Sequence, residues 1–143
     1  MIALGSDHAG IDLKNEIIDY LKENNIEYKD YGPYSKDSVD YPVYGKLVAN
    51  AVASGEAENG ILICGTGIGI SIAANKVKGV RAALCHDVFS AKATREHNNA
   101  NILAMGARVI SGGLALEIVK AFLNTEFSND ARHIRRISML EED

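Results

Sequence analysis

The chain has 143 residues, with 47% hydrophobic and 24% charged side chains and a formal net charge of −4 at pH 7. That length suits one domain spanning 1–143, able to bury roughly 70% of its unfolded surface in its own core. The negative balance argues against general nucleic-acid binding, no apolar run approaches the ~18 residues of a membrane span, and the cysteines, Cys64 and Cys85, are too few for a disulfide framework. Met1 leads directly into a strand-like run rather than a leader, so the sequence predicts a cytoplasmic protein with no nucleic-acid or membrane partner.

In chain order, "IALGS" (2–6) reads as a buried strand and "DHAG" as a polar turn. From Ile11 to Asn24, Leu13, Ile17 and Leu21 recur every four positions, which predicts a helix. "IEYKDYG" (26–32) alternates and predicts a more exposed strand; "GPYSKDSVDYP" (32–42) is a loop by composition. Pro42 suits the start of a helix reaching about Ser54, with Val43, Leu47 and Ala51 on one face. "GILIC" (60–64) is the most hydrophobic strand, and "GIGISIAANKV" opens the next helix. "VRAALC" (80–85) and "NILAM" (101–105) are further strands, each followed by a helix, "DVFSAKATREHN" (87–98) and "GGLALEIVKAFLN" (112–124). A last helix is predicted within 128–142, with Ser128 or Asn129 as its cap. Strand–helix units in series predict an α/β fold with a parallel sheet covered on both faces.

In open sheets of this kind, ligands bind beyond the carboxyl ends of the strands, where strand order reverses. With the assumed order 2-1-3-4-5, that point lies between strands 1 and 3. The loop "SDHAG", carrying Asp7 and His8, then stands beside "CGTGIGIS". Gly65, Gly67 and Gly69 allow a tight turn with amides pointing inward, followed by a positive helix N-terminus. Such a turn is an anion site, for a phosphate or a reaction oxyanion, or else a close strand–helix connection without ligand. It is neither a Walker A loop, lacking Gly-Lys-Ser/Thr, nor a dinucleotide fingerprint, since Ile70 stands where the third glycine belongs.

Cys64 is either an apolar filler or, placed before free amides where thiols ionise more readily, a nucleophile or proton-transfer base. Cys85 reads as a filler. Cys64, Cys85 and His86 show no CxxC or HExxH spacing, so no metal site is expected. The remaining histidines, His8, His97 and His133, carry no signal singly. In "ARHIRR" (131–136), Arg132 and Arg136 share a helix face. Two guanidinium groups there suit a phosphate dianion, or form a solvated face paired with Glu141, Glu142 and Asp143.

"GSDHAG", "DYP", "ILICGTGIGISIAANK", "REHNNANILAMGAR" and "RHIRR" occur in this order and together resemble the type B ribose-5-phosphate isomerases. That group belongs to a sugar-phosphate isomerase family that also holds galactose-6-phosphate and allose-6-phosphate isomerases. The resemblance implies a Rossmann-like α/β/α fold with an extra C-terminal helix, a homodimer or dimer of dimers, and no metal or organic cofactor. It implies interconversion of ribose 5-phosphate and ribulose 5-phosphate through a cis-enediolate. In that scheme His97 protonates the ring oxygen, with Asp7 assisting at the anomeric hydroxyl. Cys64 moves the proton between C2 and C1, aided by Thr66, and the amides of the Gly65–Ser71 turn, with Gly67 and Gly69, stabilise the enediolate. His8, Arg132 and Arg136 hold the phosphate with Arg108 nearby; Tyr41 and Asn98 contact the sugar. His97 sits at the C-terminal end of its helix, away from the carboxyl edge of the sheet, so His97 and Asn98 are expected to come from the partner subunit. The competing readings are an isomerase of a 6-phosphohexose, a non-catalytic sugar-phosphate sensor and a thiol-dependent hydrolase or reductase.

Overall fold

The computed structural model describes residues 1–142; Asp143, the last residue of the predicted acidic tail, lies outside them. The strands are β1 (Ile2–Ser6), β2 (Tyr28–Asp30), β3 (Asn59–Cys64), β4 (Ala82–Leu84) and β5 (Ile102–Gly106). The helices are α1 (Ile11–Glu23), α2 (Tyr41–Ala53), α3 (Ile68–Asn75), α4 (Val88–Asn98), α5 (Gly112–Asn124) and α6 (Ala131–Leu140), with one 3-10 turn at His8–Gly10. All strands pair in parallel.

Local chemistry explains the elements. Leu13, Ile17 and Leu21 are buried along α1, as the four-residue spacing requires, and each contributes about 2 kcal/mol through removal from water. Pro42 stands in the first turn of α2, and Gly45 lets that helix approach α3, where a Cβ would come within 3.1 Å of Ile70. Asp87 caps α4 by accepting the Ser90 amide at 2.7 Å. The α6 cap differs from the expectation: Asp130 is the cap residue, and Ser128 lies outside the helix with its hydroxyl accepting the Asp130 amide at 3.1 Å.

The sheet order is β2-β1-β3-β5-β4, which corrects the expected 2-1-3-4-5. The reason is hydrophobicity. Every residue of β5 is buried, so it belongs in the interior beside β3, whereas the three-residue β4 is half-exposed and suits an edge. Helices α1, α4 and α5 cover one face around Leu4, Ile17, Leu103 and Phe122. Helices α2 and α3 cover the other around Val48, Leu62, Ile70 and Ala104. No described helix is long and apolar enough to cross a membrane.

Candidate functional site

The loops after β1, β3 and β5 converge at the carboxyl edge. The Asp7 amide donates to the Ile63 carbonyl at 3.0 Å. A Cβ at Gly10 would fall 2.7 Å from that same oxygen, so the turn after β1 lies directly on the end of β3. Asp7 Oδ1 accepts the Ala9 and Gly10 amides at 2.9 and 3.1 Å, leaving Oδ2 without a partner among the described residues. His8 Nδ1 accepts the Val39 amide at 3.2 Å, so the neutral ring carries its hydrogen on Nε2 and offers that as a donor.

The β2–α2 loop that supplies Val39 is anchored by a lysine. Lys14 is fully buried, and its ammonium donates to Asp30 Oδ1 at 2.8 Å and to the Pro33 carbonyl at 2.7 Å. Asp30 Oδ1 also accepts the Gly32 amide at 2.8 Å, so the buried charge is paired and hydrogen-bonded. Past the loop, Tyr41 lies against Gly69, where a Cβ would come within 2.6 Å of its ring.

Cys64 closes β3 with its sulfur buried, and Sγ accepts the Gly67 amide at 3.1 Å. Gly67 can aim that amide because it adopts φ 78°, a conformation glycine takes freely. The Ile68 amide donates to Thr66 Oγ1 at 3.2 Å, and the Ser71 amide to the Gly67 carbonyl at 3.2 Å. Ser71 Oγ donates to the Ile68 carbonyl at 2.7 Å. These bonds commit the Gly67 and Ser71 amides inside the turn. Gly65, Thr66, Gly69 and Ile70 keep N–H groups without an acceptor among the described residues, and these are the ones available to an oxyanion. Arg108 closes this side: its amide donates to the Gly65 carbonyl at 3.0 Å, and its guanidinium lies over Gly65.

Two residues outside the predicted site set, Gly106 and His86, also shape this turn. Gly106, at the end of β5, faces Thr66, where a Cβ would sit 2.6 Å from backbone carbon and oxygen. Its amide donates to His86 Nε2 at 2.9 Å, because β4 ends too early to offer a carbonyl there. A glycine ending a strand beside a glycine-rich turn is the signal that points to such a close approach. Cys85 belongs to the opposite face of the sheet from Cys64, and burial together with the Asp87 charge pushes its thiol up to about 11. It is an unreactive filler, and Cys64 has no resolving thiol within reach. Among the described residues no three His, Cys, Asp or Glu side chains cluster as metal ligands would.

The steric demand of the turn predicts a graded result. Gly67→Ala forces a positive φ on alanine and places its Cβ 2.6 Å from Leu84 and 2.7 Å from Met105 backbone carbon. It is expected to cost about 3 kcal/mol of stability through strain and overpacking combined. Gly79→Ala has φ 89° but nothing within 4 Å, and is expected to cost about 1 kcal/mol. Urea unfolding of both variants checks the difference; equal losses would remove the packing argument.

Asp7, His8, Tyr41, Cys64, Gly65, Thr66, Gly67, Gly69, Ser71 and Arg108 thus gather at one edge. His97, Asn98, Arg132 and Arg136 do not. Helix α4 starts at the carboxyl edge and runs back, so its last turn lies beside Arg81, just before β4, whose Nε donates to the Asn98 carbonyl at 3.1 Å. Helix α6 is attached to that same turn: the Ser128 amide donates to the Glu96 carbonyl at 3.2 Å. The sequence reading set only His97 and Asn98 apart; the structure sets Arg132 and Arg136 apart with them. Both arginines are exposed and have no ion pair among the described residues, since Glu141 bonds Arg81 at 2.6 Å instead.

Three relatives are similar along nearly their whole length. Ribose-5-phosphate isomerase B of Escherichia coli is 48% identical over 97% of this chain and 93% of its own. D-erythrulose-4-phosphate isomerase of Pectobacterium atrosepticum is 49% identical over 88% of this chain and 84% of its own. The structure of Clostridium thermocellum ribose-5-phosphate isomerase B superposes with a TM-score of 0.96 at 53% identity, covering 98% of this chain and 94% of that one. The family model described as Ribose/Galactose Isomerase matches residues 2–140. A parallel sheet with a thiol, free amides and an arginine at its carboxyl edge, and this match from end to end, place the chain in the ribose/galactose isomerase family.

Proposed function

We propose that the protein interconverts ribose 5-phosphate and ribulose 5-phosphate as a homodimer with shared sites. The observation that carries this reading is Cys64 Sγ standing at the head of a turn whose amides are partly free, between the Asp7 and Arg108 loops. The sugar enters mainly as a furanose. His97 of a second subunit gives a proton to the ring oxygen as the C1–O bond breaks, and Asp7 takes the anomeric hydroxyl proton, yielding the open aldehyde. Cys64 as thiolate then removes the C2 proton, and the electron pair forms the C1=C2 bond with charge on O1. The free turn amides stabilise that oxygen, each such donor commonly contributing about 3 kcal/mol to the transition state. A proton passes from O2 to O1, assisted by the Thr66 hydroxyl, and the thiol returns its proton to C1 to give the ketose.

The phosphate is held by His8 through Nε2–H and by Arg108 from one subunit, and by Arg132 and Arg136 from the other, as bidentate guanidinium groups suit a dianion. Tyr41 and the partner's copy of Asn98 contact the hydroxyls. Support for sharing comes from the placement of the two residue sets at opposite edges of one chain. No organic cofactor or metal takes part in these steps.

The test is turnover. The protein is incubated with ribose 5-phosphate, allose 6-phosphate and galactose 6-phosphate, with and without a chelator, and ketose formation is followed. Ribose 5-phosphate is expected to react fastest and independently of the chelator. Preference for either hexose phosphate would replace the pentose assignment, and no turnover of any would leave a binding protein.

A further inference from the structure

We propose that His133 is a positioning residue that fixes the imidazole of His97 in the orientation needed for ring opening. The proposal rests on the isomerase reading and deepens it. Helix α6 exposes Arg132, Ile134, Arg135 and Arg136, yet His133 between them is 5% exposed. Its ring lies on that of His97, centroids 4.6 Å apart and planes inclined by 39°. The Phe127 ring also lies near it, centroids 6.5 Å apart. The ring cannot swing away, because its Nδ1 is 2.7 Å from Ser128 Oγ. Ser128 is itself pinned, its hydroxyl accepting the Asp130 amide at 3.1 Å and its amide donating to the Glu96 carbonyl at 3.2 Å, one residue before His97.

The physical gain is preorganisation. An exposed histidine in the last turn of a helix samples several rotamers, and an acid that must meet a ring oxygen loses rate for every wrong one. Stacking on a buried, anchored ring removes that freedom before substrate arrives. The residue is also suited to be silent in the proton transfer. Burial, then the neighbouring His97, Arg132 and Arg136, lower its affinity for a proton, and Asp130 opposes them only in part. A lowered proton affinity suits a ring that holds its neighbour in place rather than one that transfers a proton itself.

Ring opening is read apart from isomerisation in a Cys64→Ala background, where C2 keeps its proton. The open aldehyde recloses to either anomer, so catalysed opening appears as faster exchange between the α and β C1 signals of ribose 5-phosphate in NMR saturation transfer. Cys64→Ala is expected to accelerate this exchange. Adding His133→Gln is expected to cut the acceleration at least about tenfold by freeing the His97 ring. Adding His133→Phe, which keeps an aromatic ring to stack on, is expected to preserve most of it. Ser128→Ala in the same background loosens the anchor with less risk to folding and is expected to fall between them; thermal melts accompany every variant. Exchange as fast with His133→Gln as without it overturns the positioning role and leaves the isomerase reading intact. No acceleration by Cys64→Ala itself, while the unsubstituted protein isomerises, overturns ring opening by His97 and the role of His133 with it.

Discussion

Cys64→Ala is expected to lower kcat for ribose 5-phosphate by about a thousandfold or more, the scale of losing the group that carries the proton. Its fold should survive. The side chain is buried at the end of β3, alanine is smaller, and the main structural loss is the Gly67 hydrogen bond to Sγ, about 1 kcal/mol. Cys64→Ser separates the two contributions. It keeps an acceptor for the Gly67 amide but offers a hydroxyl far too weakly acidic to serve as the base, so it should match the stability of the unsubstituted protein and the inactivity of the alanine variant. Substrate affinity measured by calorimetry should change little in either, because the phosphate contacts lie elsewhere. Turnover near the original rate in Cys64→Ala would sink the assigned base outright.

Mixing two inactive proteins is expected to restore activity. In Cys64→Ala one edge of each subunit is dead, and in His97→Asn the other. A mixed dimer joins the intact Cys64 edge of one subunit to the intact His97 of its partner, giving one working site and one doubly defective site. Random exchange makes half the dimers mixed, so recovery should approach about a quarter of the original rate. Subunit exchange is verified by mass-tagged chains in native mass spectrometry. Proven exchange with no recovery would return the whole site to one chain and require α4 to rearrange.

The sequence shows most of this arrangement, for identifiable reasons. The four-residue apolar spacing of α1 and the Pro42 start act within a few residues of chain, and each has its expected consequence in the structure. The adjacency of the Asp7 and Cys64 loops followed from topology, and β1 does pair with β3. What stayed hidden is non-local. The order of β4 and β5 depends on which strand tolerates exposure, and the hint was there: a fully apolar "ILAMG" against a short "AAL" preceded by Arg81. The commitment of the Gly67 and Ser71 amides needs coordinates, because a glycine-rich string does not say which N–H groups its own thiol and carbonyls will take. Likewise, the pairing of Arg132 and Arg136 on one helix face was legible, while the edge of the sheet to which α6 is tied was not.

The exchange of β4 and β5 in the sheet also decides how thick each side of the molecule is. Parallel crossovers are right-handed in about 98% of cases, so a step in one direction along the sheet puts its helix on one side and a step back puts it on the other. Had β5 lain outermost, the step from β4 would have continued outward and α4 would have joined α2 and α3. Because the chain instead turns back to place β5 beside β3, α4 crosses to the side of α1 and α5. The side left to α2 and α3 is a thin cladding, and Val43, Ile68 and Ile72 stand out from it more than half-exposed, with Leu47 at 44%. In the homodimer proposed above, a second copy laid on that cladding would cover these side chains. A transposition of two strands thus decides, through the handedness of the backbone, which apolar side chains a single chain leaves uncovered.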